Sequence, residues 1–329
     1  MTRLLAVELR RLFSRRLVVL AMAGALVATA LVLAGVWQSS RPMTGDARAR
    51  AVAEYERAQA DWAENGEAHL AQCLADEERE RDLSGADVDF GCDQMEPQEE
   101  WFLVTAPPLE DSLPGVLAGH AYLLVLLALL VGATFTAAEV STGSLSTWLT
   151  FEPRRLRVYA SKLLAATLGV LPAAVVLVAA VVGGAWLVAD RFGLAGTMTQ
   201  TDWGDAGATA LRVLALTALV ALAGAALGIL ARHTAGVLGA VVGYVVVVEL
   251  VLANLLPRLQ PWLLLKNVEG WVAGGTVYFL QTCTTDATGT LCDVTERALP
   301  LTHSVVYLLA LAALTVAAGA VAIRRRDAV

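Results

Sequence analysis

Lysine is almost missing from this chain. Of 24 basic residues only Lys162 and Lys266 are lysines. A P-loop needs GxxxxGK followed by Ser or Thr, with glycines to cradle the phosphates and a lysine facing the β- and γ-phosphates. Lys162 follows Ser161 and Lys266 follows Leu265, so neither fits. HExxH, GxSxG and paired carboxylates placed to share a pocket are missing too, and with them the usual zinc and nucleophile chemistries. No catalytic residue, cofactor-binding residue or metal ligand set is expected here, and the chain does not read as an enzyme. Charge is also scarce, at 17% of residues, against about 25% in a soluble domain. No basic soluble face exists to hold phosphates, which excludes a nucleic-acid binder.

What is there is apolar. The 329 residues are 57% hydrophobic, with a mean hydropathy of +0.61; soluble domains hold about 45–50%. Six apolar runs stand out: 17–37, 115–138, 163–189, 208–231, 236–256 and 304–323. About 20 helical residues cross a bilayer core. The chain is therefore expected to be an all-α integral membrane protein with six transmembrane helices. An even number puts both termini on one side.

Charge chooses the side. Residues 38–114 hold 19 acidic and 6 basic residues, a balance of −13. With both termini inside, Arg3, Arg10, Arg11, Arg15 and Arg16 face the cytosol. So do Arg154, Arg155, Arg157 and Lys162, then Arg232, then Arg324, Arg325 and Arg326. That arrangement satisfies the positive-inside rule. It also puts Cys73, Cys92, Cys283 and Cys292 outside, where disulfides persist. Pairing is expected to be local, Cys73 with Cys92 and Cys283 with Cys292, because short loops close at small entropic cost. The rival, a metal site, lacks CxxC spacing and a nearby His pair. The expected location is a plasma membrane, multi-pass, with both termini cytosolic.

Residues 1–16 carry Leu5, Leu9, Leu12 and Phe13 on one helical face and arginines elsewhere. This is an amphipathic helix able to lie among inner-leaflet headgroups. The alternative is the start of a signal peptide, with Ala28-Thr29-Ala30 as its cleavage site; the 21-residue run at 17–37 is long for that and suits a first span.

Residues 38–114 form an acidic extracellular insert. Thr44 to Asp82 reads as two helices broken at Asn65-Gly66, followed by loop with an apolar patch at Trp101-Phe102-Leu103-Val104. It is either a solvated cap or a recognition ectodomain. Residues 115–329 hold spans two to six. Within them the extracellular loop 257–303 is too long for a connector and reads as an interfacial or re-entrant helix anchored by Trp262 and Trp271. Small-xxx-small pairs occur at Gly115/Gly119, Gly224/Gly228 and Gly239/Gly243, which allow close helix approach inside one chain or between two. Glu249 lies in span five with Asn254 beyond it. A charge there is costly, so the pair marks a translocation path or Glu249 is a structural group. His120, alone near the outer end of span two, reads as structural.

The cytosolic loop 139–162 is dense in helix signals. Ser141, Thr142 and Ser144 are N-cap types. Leu145, Trp148 and Leu149 make one apolar face, and Glu152-Pro153 stops the helix. Glu139, at the end of span two, is placed to pair with an arginine of this loop.

These residues carry a resemblance. Glu8-Leu9-Arg10-Arg11-Leu12, Ala133-Thr134-Phe135 with Glu139, Gly143-Ser144-Leu145, and Glu152-Pro153-Arg154-Arg155 with Lys162 together resemble the permease subunits of type-2, exporter-like ATP-binding-cassette transporters. The likeness covers essentially the whole chain and is nearest to actinobacterial members with a helical ectodomain after span one. Ser144 stands where Thr is frequent, and Val140 and Ser141 replace a bulkier, more basic pair. The resemblance implies an N-terminal elbow helix on the inner leaflet and a coupling helix at 141–151 seated on an ATPase. It implies coupling roles for Glu139, Gly143, Ser144, Leu145, Trp148, Leu149, Glu152, Pro153, Arg154 and Arg155, with a second contact at Arg232 and His233. It further implies two permease chains, most simply a homodimer, and two cytosolic ATPase subunits that bind the ATP and Mg this chain has no site for. A hydrophobic or amphiphilic substrate would then move by alternating access, in the direction of export. The alternative function is a non-transporting membrane sensor or scaffold acting through the insert.

Overall fold

The computed structural model describes all residues except 1, 86–87, 104, 145–149, 151–152, 287–288 and 326–329; the side chains of 2, 84, 254 and 281–293 are also outside the description. In chain order the helices are α1 (Thr2–Phe13), α2 (Arg16–Ser39), α3 (Gly45–Ser84), α4 (Glu99–Phe102), α5 (Leu109–Ser141), α6 (Arg155–Arg191), α7 (Gln200–Ala231), α8 (Thr234–Tyr244), α9 (Leu264–Ala273) and α10 (Leu301–Arg325). α8 runs on as a π-helix, Val245–Leu252, and a last turn, Ala253–Leu255. Two strands, β1 (Gly275–Asp286) and β2 (Gly289–Pro300), pair as a hairpin. Among the described residues, six helices are long and apolar enough to cross a membrane: α2, α5, α6, α7, α8 with its continuation, and α10. This is a helical, multi-pass membrane protein.

The chain divides into two compact units. The first comprises residues 1–38, 108–279 and 296–329; the second comprises 39–107 and 280–295. The insert is therefore shorter than 38–114 at its far end, because Pro108 is the N-cap of α5 and Leu109 is already helical.

In the membrane unit α5 and α7 form the central seam. A Cβ at Gly132 would strike Ala221 O, one at Gly224 would lie 2.9 Å from Leu129 O, and one at Gly228 would strike the Thr136 hydroxyl. The missing side chains let the two backbones touch. Thr136 Oγ1 then donates across the seam to Ala225 O at 2.7 Å. The Gly224/Gly228 pair therefore works inside the chain, whereas Gly115, Gly119, Gly239 and Gly243 face open space. α7 ends at Arg232, whose φ of 62° closes the helix through its N–H to Gly228 O. α6 joins α10 through Tyr159 Oη, which donates to Val316 O at 2.8 Å beside Gly319.

The helix of the insert also differs from expectation. α3 is a single helix of 40 residues, capped by Thr44 and ended by Gly85 at φ 68°. Asn65-Gly66 does not break it. The Trp62 ring lies over Gly66, with an added Cβ 2.8 Å away, and Asn65 Nδ2 donates to Asp61 Oδ1 at 2.9 Å. One glycine costs a helix about 1 kcal/mol, which the flanking turns and the half-buried Trp62 ring offset. The Cys73–Cys92 disulfide is present. It pins residues 88–92 along α3, where Arg81 Nη2 donates to Val88 O and Phe90 N donates to Glu77. The side chains of Cys283 and Cys292, on β1 and β2, lie outside the described residues.

The loop 257–303 holds the expected helix, α9, and a hairpin the sequence did not announce. Trp271 is not an interface anchor. It is 8% exposed, and its Nε1 donates to Arg212 O of α7 at 2.9 Å. Trp262 does stay at the surface, 59% exposed.

Candidate functional site

Four charged groups meet between α1, the turn after it, the end of α5 and the start of α6. α1 presents Glu8. The turn between α1 and α2 presents Arg15. The end of α5 presents Glu139, and the second turn of α6 presents Lys162. Lys162 Nζ donates to Glu8 Oε1 and Oε2 at 3.1 and 3.0 Å and also to Glu139 Oε2. An ammonium has three donors, and all three are used. Arg15 Nη2 donates to the other Glu139 oxygen, Oε1, at 2.7 Å. Glu8, Lys162 and Glu139 are buried, at 0%, 1% and 4% exposure.

The local structure explains the convergence. In α1, Leu5, Leu9 and Leu12 fall on the face that also carries Glu8. That face turns onto α6, with Leu12 seated against Gly169. Of the apolar stripe expected to lie in the leaflet, Leu12 is buried by protein, Leu5 and Leu9 are half-buried, and Phe13 is exposed. Phe135, one turn before Glu139 and fully buried, lies 5.3 Å from the Arg15 guanidinium and 5.2 Å from Lys162 Nζ. Cation–π attraction of this kind is worth more when water is excluded. Two carboxylates and two cations leave the cluster formally neutral.

Such a cluster has a defined mechanical property. Burying the charges costs several kcal/mol each, and only the complete set recovers that cost. Moving one of the three helix ends without the others would strand a charge. Separating α1, the end of α5 and the start of α6 from one another therefore carries that cost. Glu139 pairs with Arg15 and Lys162 rather than with an arginine inside its own loop.

The remaining sequence candidates fall as follows. Gly143 has φ 70° and, with Ser144 Oγ donating to Glu139 O at 3.3 Å, turns the chain out of α5. Leu145, Trp148, Leu149 and Glu152 lie outside the described residues. Pro153 O accepts from Arg155 N, and Arg154 is the N-cap of α6. Arg155 Nη1 donates to Ile323 O at 3.3 Å and Arg324 O at 3.4 Å, closing the end of α10. His233 is the N-cap of α8 without a side-chain bond to it. Glu249 Oε1 accepts from Leu265 N at 3.0 Å, and the Asn254 side chain is outside the description. His120 is 1% exposed, and neither ring nitrogen has a hydrogen-bond partner. Among the described residues no group of three His, Cys, Asp or Glu converges as a metal would need.

Sequence reasoning missed the roles of Glu8 and Arg15. The available signal was a lone acidic residue on the apolar face of a basic helix. That position is explained by a buried cationic partner and by little else. Comparison with protein-family models, with curated proteins and with solved structures finds no match.

Proposed function

We propose that the chain is the permease subunit of an ATP-binding-cassette transporter of the type-2, exporter-like class, with the end that carries the termini in the cytosol. A cytosolic ATPase supplies the energy, two permease chains form the pathway, and the substrate is hydrophobic or amphiphilic. The observation that supports this reading is the Glu8–Lys162–Glu139–Arg15 cluster. It ties an N-terminal elbow to both helices that flank the polar loop 139–162. A push on that loop by a partner would reach two spans and the elbow as one body. Such rigid joining of helix ends is what power delivered from another chain requires.

The test is association and coupling. An ATPase bearing a P-loop should co-purify with the chain from membranes. Glu139→Gln should uncouple its ATP hydrolysis from transport in proteoliposomes while the complex stays assembled. A chain that never associates with such an ATPase, or coupling unchanged in Glu139→Gln and Trp148→Ala together, overturns the proposal. The compact, disulfide-closed insert supports the second reading, a scaffold acting outside the membrane. Deleting residues 44–105 separates the two: loss of every phenotype with ATPase coupling intact favours the scaffold.

A further inference from the structure

Span five is built unlike the others. Its first half, α8, is held by Val237, 3% exposed, which packs on Leu129 of α5 and Ala133. Beyond Tyr244 the helix becomes π-helical, and none of residues 245–252 is buried. Only 6% of this span's apolar window is buried, against 56% for α5. The half nearer the loop 257–303 thus has little packing to fix its position.

What holds it is a pair of side chains. α9 starts at Leu264, and its N-cap, Leu263, offers no side-chain acceptor. The first N–H groups of a helix need partners from elsewhere. Leu264 N donates to Tyr244 Oη at 3.3 Å, and Leu265 N donates to Glu249 Oε1 at 3.0 Å. Both acceptors come from span five. A carboxylate is favoured at this position because the helix N-terminus carries partial positive charge.

The π-helix makes this geometry possible. Residues five apart on an α-helix point about 140° apart, at 3.6 residues per turn. In the i→i+5 register of a π-helix they lie on one face. Tyr244 and Glu249 are five apart, and the π-segment begins directly after Tyr244. A return to α-helical register would carry Glu249 away from Leu265.

α9 itself is fixed. Trp271 Nε1 and Arg212 Nε exchange bonds with the backbones of α7 and α9, at 2.9 and 3.0 Å. Gly270 lies against Ser304 of α10. Asn267 Nδ2 donates to Pro261 O and Leu263 O at 2.9 and 2.8 Å. The bonded pair therefore joins a loosely packed half-span to a rigid helix.

We propose that Tyr244 and Glu249 are a latch, and that the π-segment is the point at which span five gives. When the latch opens, residues 244–256 leave α9 or regain α-helical register. The half anchored by Val237 stays in place. This inference does not depend on an ATPase, a substrate or the transport reading.

Hydrogen exchange on the full chain in lipid nanodiscs tests it. Tyr244→Phe removes only the hydroxyl. Glu249→Gln keeps a carbonyl acceptor without the charge, and Glu249→Ala removes both. Exchange over 245–256 and at the start of α9 should rise roughly tenfold in Tyr244→Phe and in Glu249→Ala, the scale of one lost hydrogen bond. Glu249→Gln should fall between Glu249→Ala and wild type. Residues 234–243 should keep wild-type protection. Unchanged exchange in both Tyr244→Phe and Glu249→Gln overturns the latch. Loss of protection spread equally over 234–256 overturns the hinge. Should Glu249→Ala fail to fold, Tyr244→Phe and Glu249→Gln decide the question.

Discussion

The Lys162 ammonium reaches both oxygens of Glu8, at 3.0 and 3.1 Å, across 154 residues of chain. Neither side chain has an exposed surface to speak of, at 1% and 0%. Losing one partner leaves the other charged and buried. Lys162→Met should therefore destabilise the protein by about 3–5 kcal/mol. The combined Glu8→Gln, Glu139→Gln, Lys162→Met variant should lose less than Lys162→Met alone. Thermal unfolding in detergent checks both, and equal losses in the two would refute the pairing.

Glycines at the α5–α7 seam should behave differently from those facing open space. Gly228→Ala places a methyl on the Thr136 hydroxyl and about 2.6 Å from Ala133 O. The expected cost is about 1–3 kcal/mol. Gly239→Ala meets nothing within 4 Å and should be neutral or slightly stabilising in the single chain. Melting temperatures of the two variants give the comparison. A Gly239→Ala loss equal to that of Gly228→Ala would place span five against a partner.

The Cys73–Cys92 disulfide closes a sequence separation of 19 residues. Replacing both cysteines by serine should cost the insert roughly 3 kcal/mol. Limited proteolysis should then cut within 85–91 at lower protease concentration. The membrane unit has its own core and should keep its melting temperature. An unchanged cleavage pattern would show that Glu77 and Arg81 suffice to hold the segment.

Arg155→Ala should free the carbonyls of Ile323 and Arg324. The last turn of α10 should fray, with faster amide exchange confined to that end. The cost is about 1 kcal/mol, one hydrogen-bonded site. A coupling defect without fraying would instead assign Arg155 to the partner surface.

Much of this was legible in the chain. The six spans follow from apolar runs, because lipid imposes its demand on every stretch of about 20 residues. The Cys73–Cys92 pair followed from proximity in sequence. The single helix α3 did not, because Asn65-Gly66 is a local breaker whose effect is reversed by a tryptophan four residues earlier. The hairpin at 275–300 was hidden by a polar, weakly alternating strand pattern outside the membrane runs. The role of Glu8 was hidden because its partner is on another helix.

The sequence by itself determined class, span number and the polar character of loop 139–162. Composition and periodicity are local sums, and the bilayer reads them locally. Only the tertiary structure decided which of three glycine pairs is a contact. Only it decided that Glu139 binds Arg15 and Lys162, and that Glu249 caps a helix. These are pairings between distant residues. A buried charge fixes that a partner must exist, but packing alone selects which one it is.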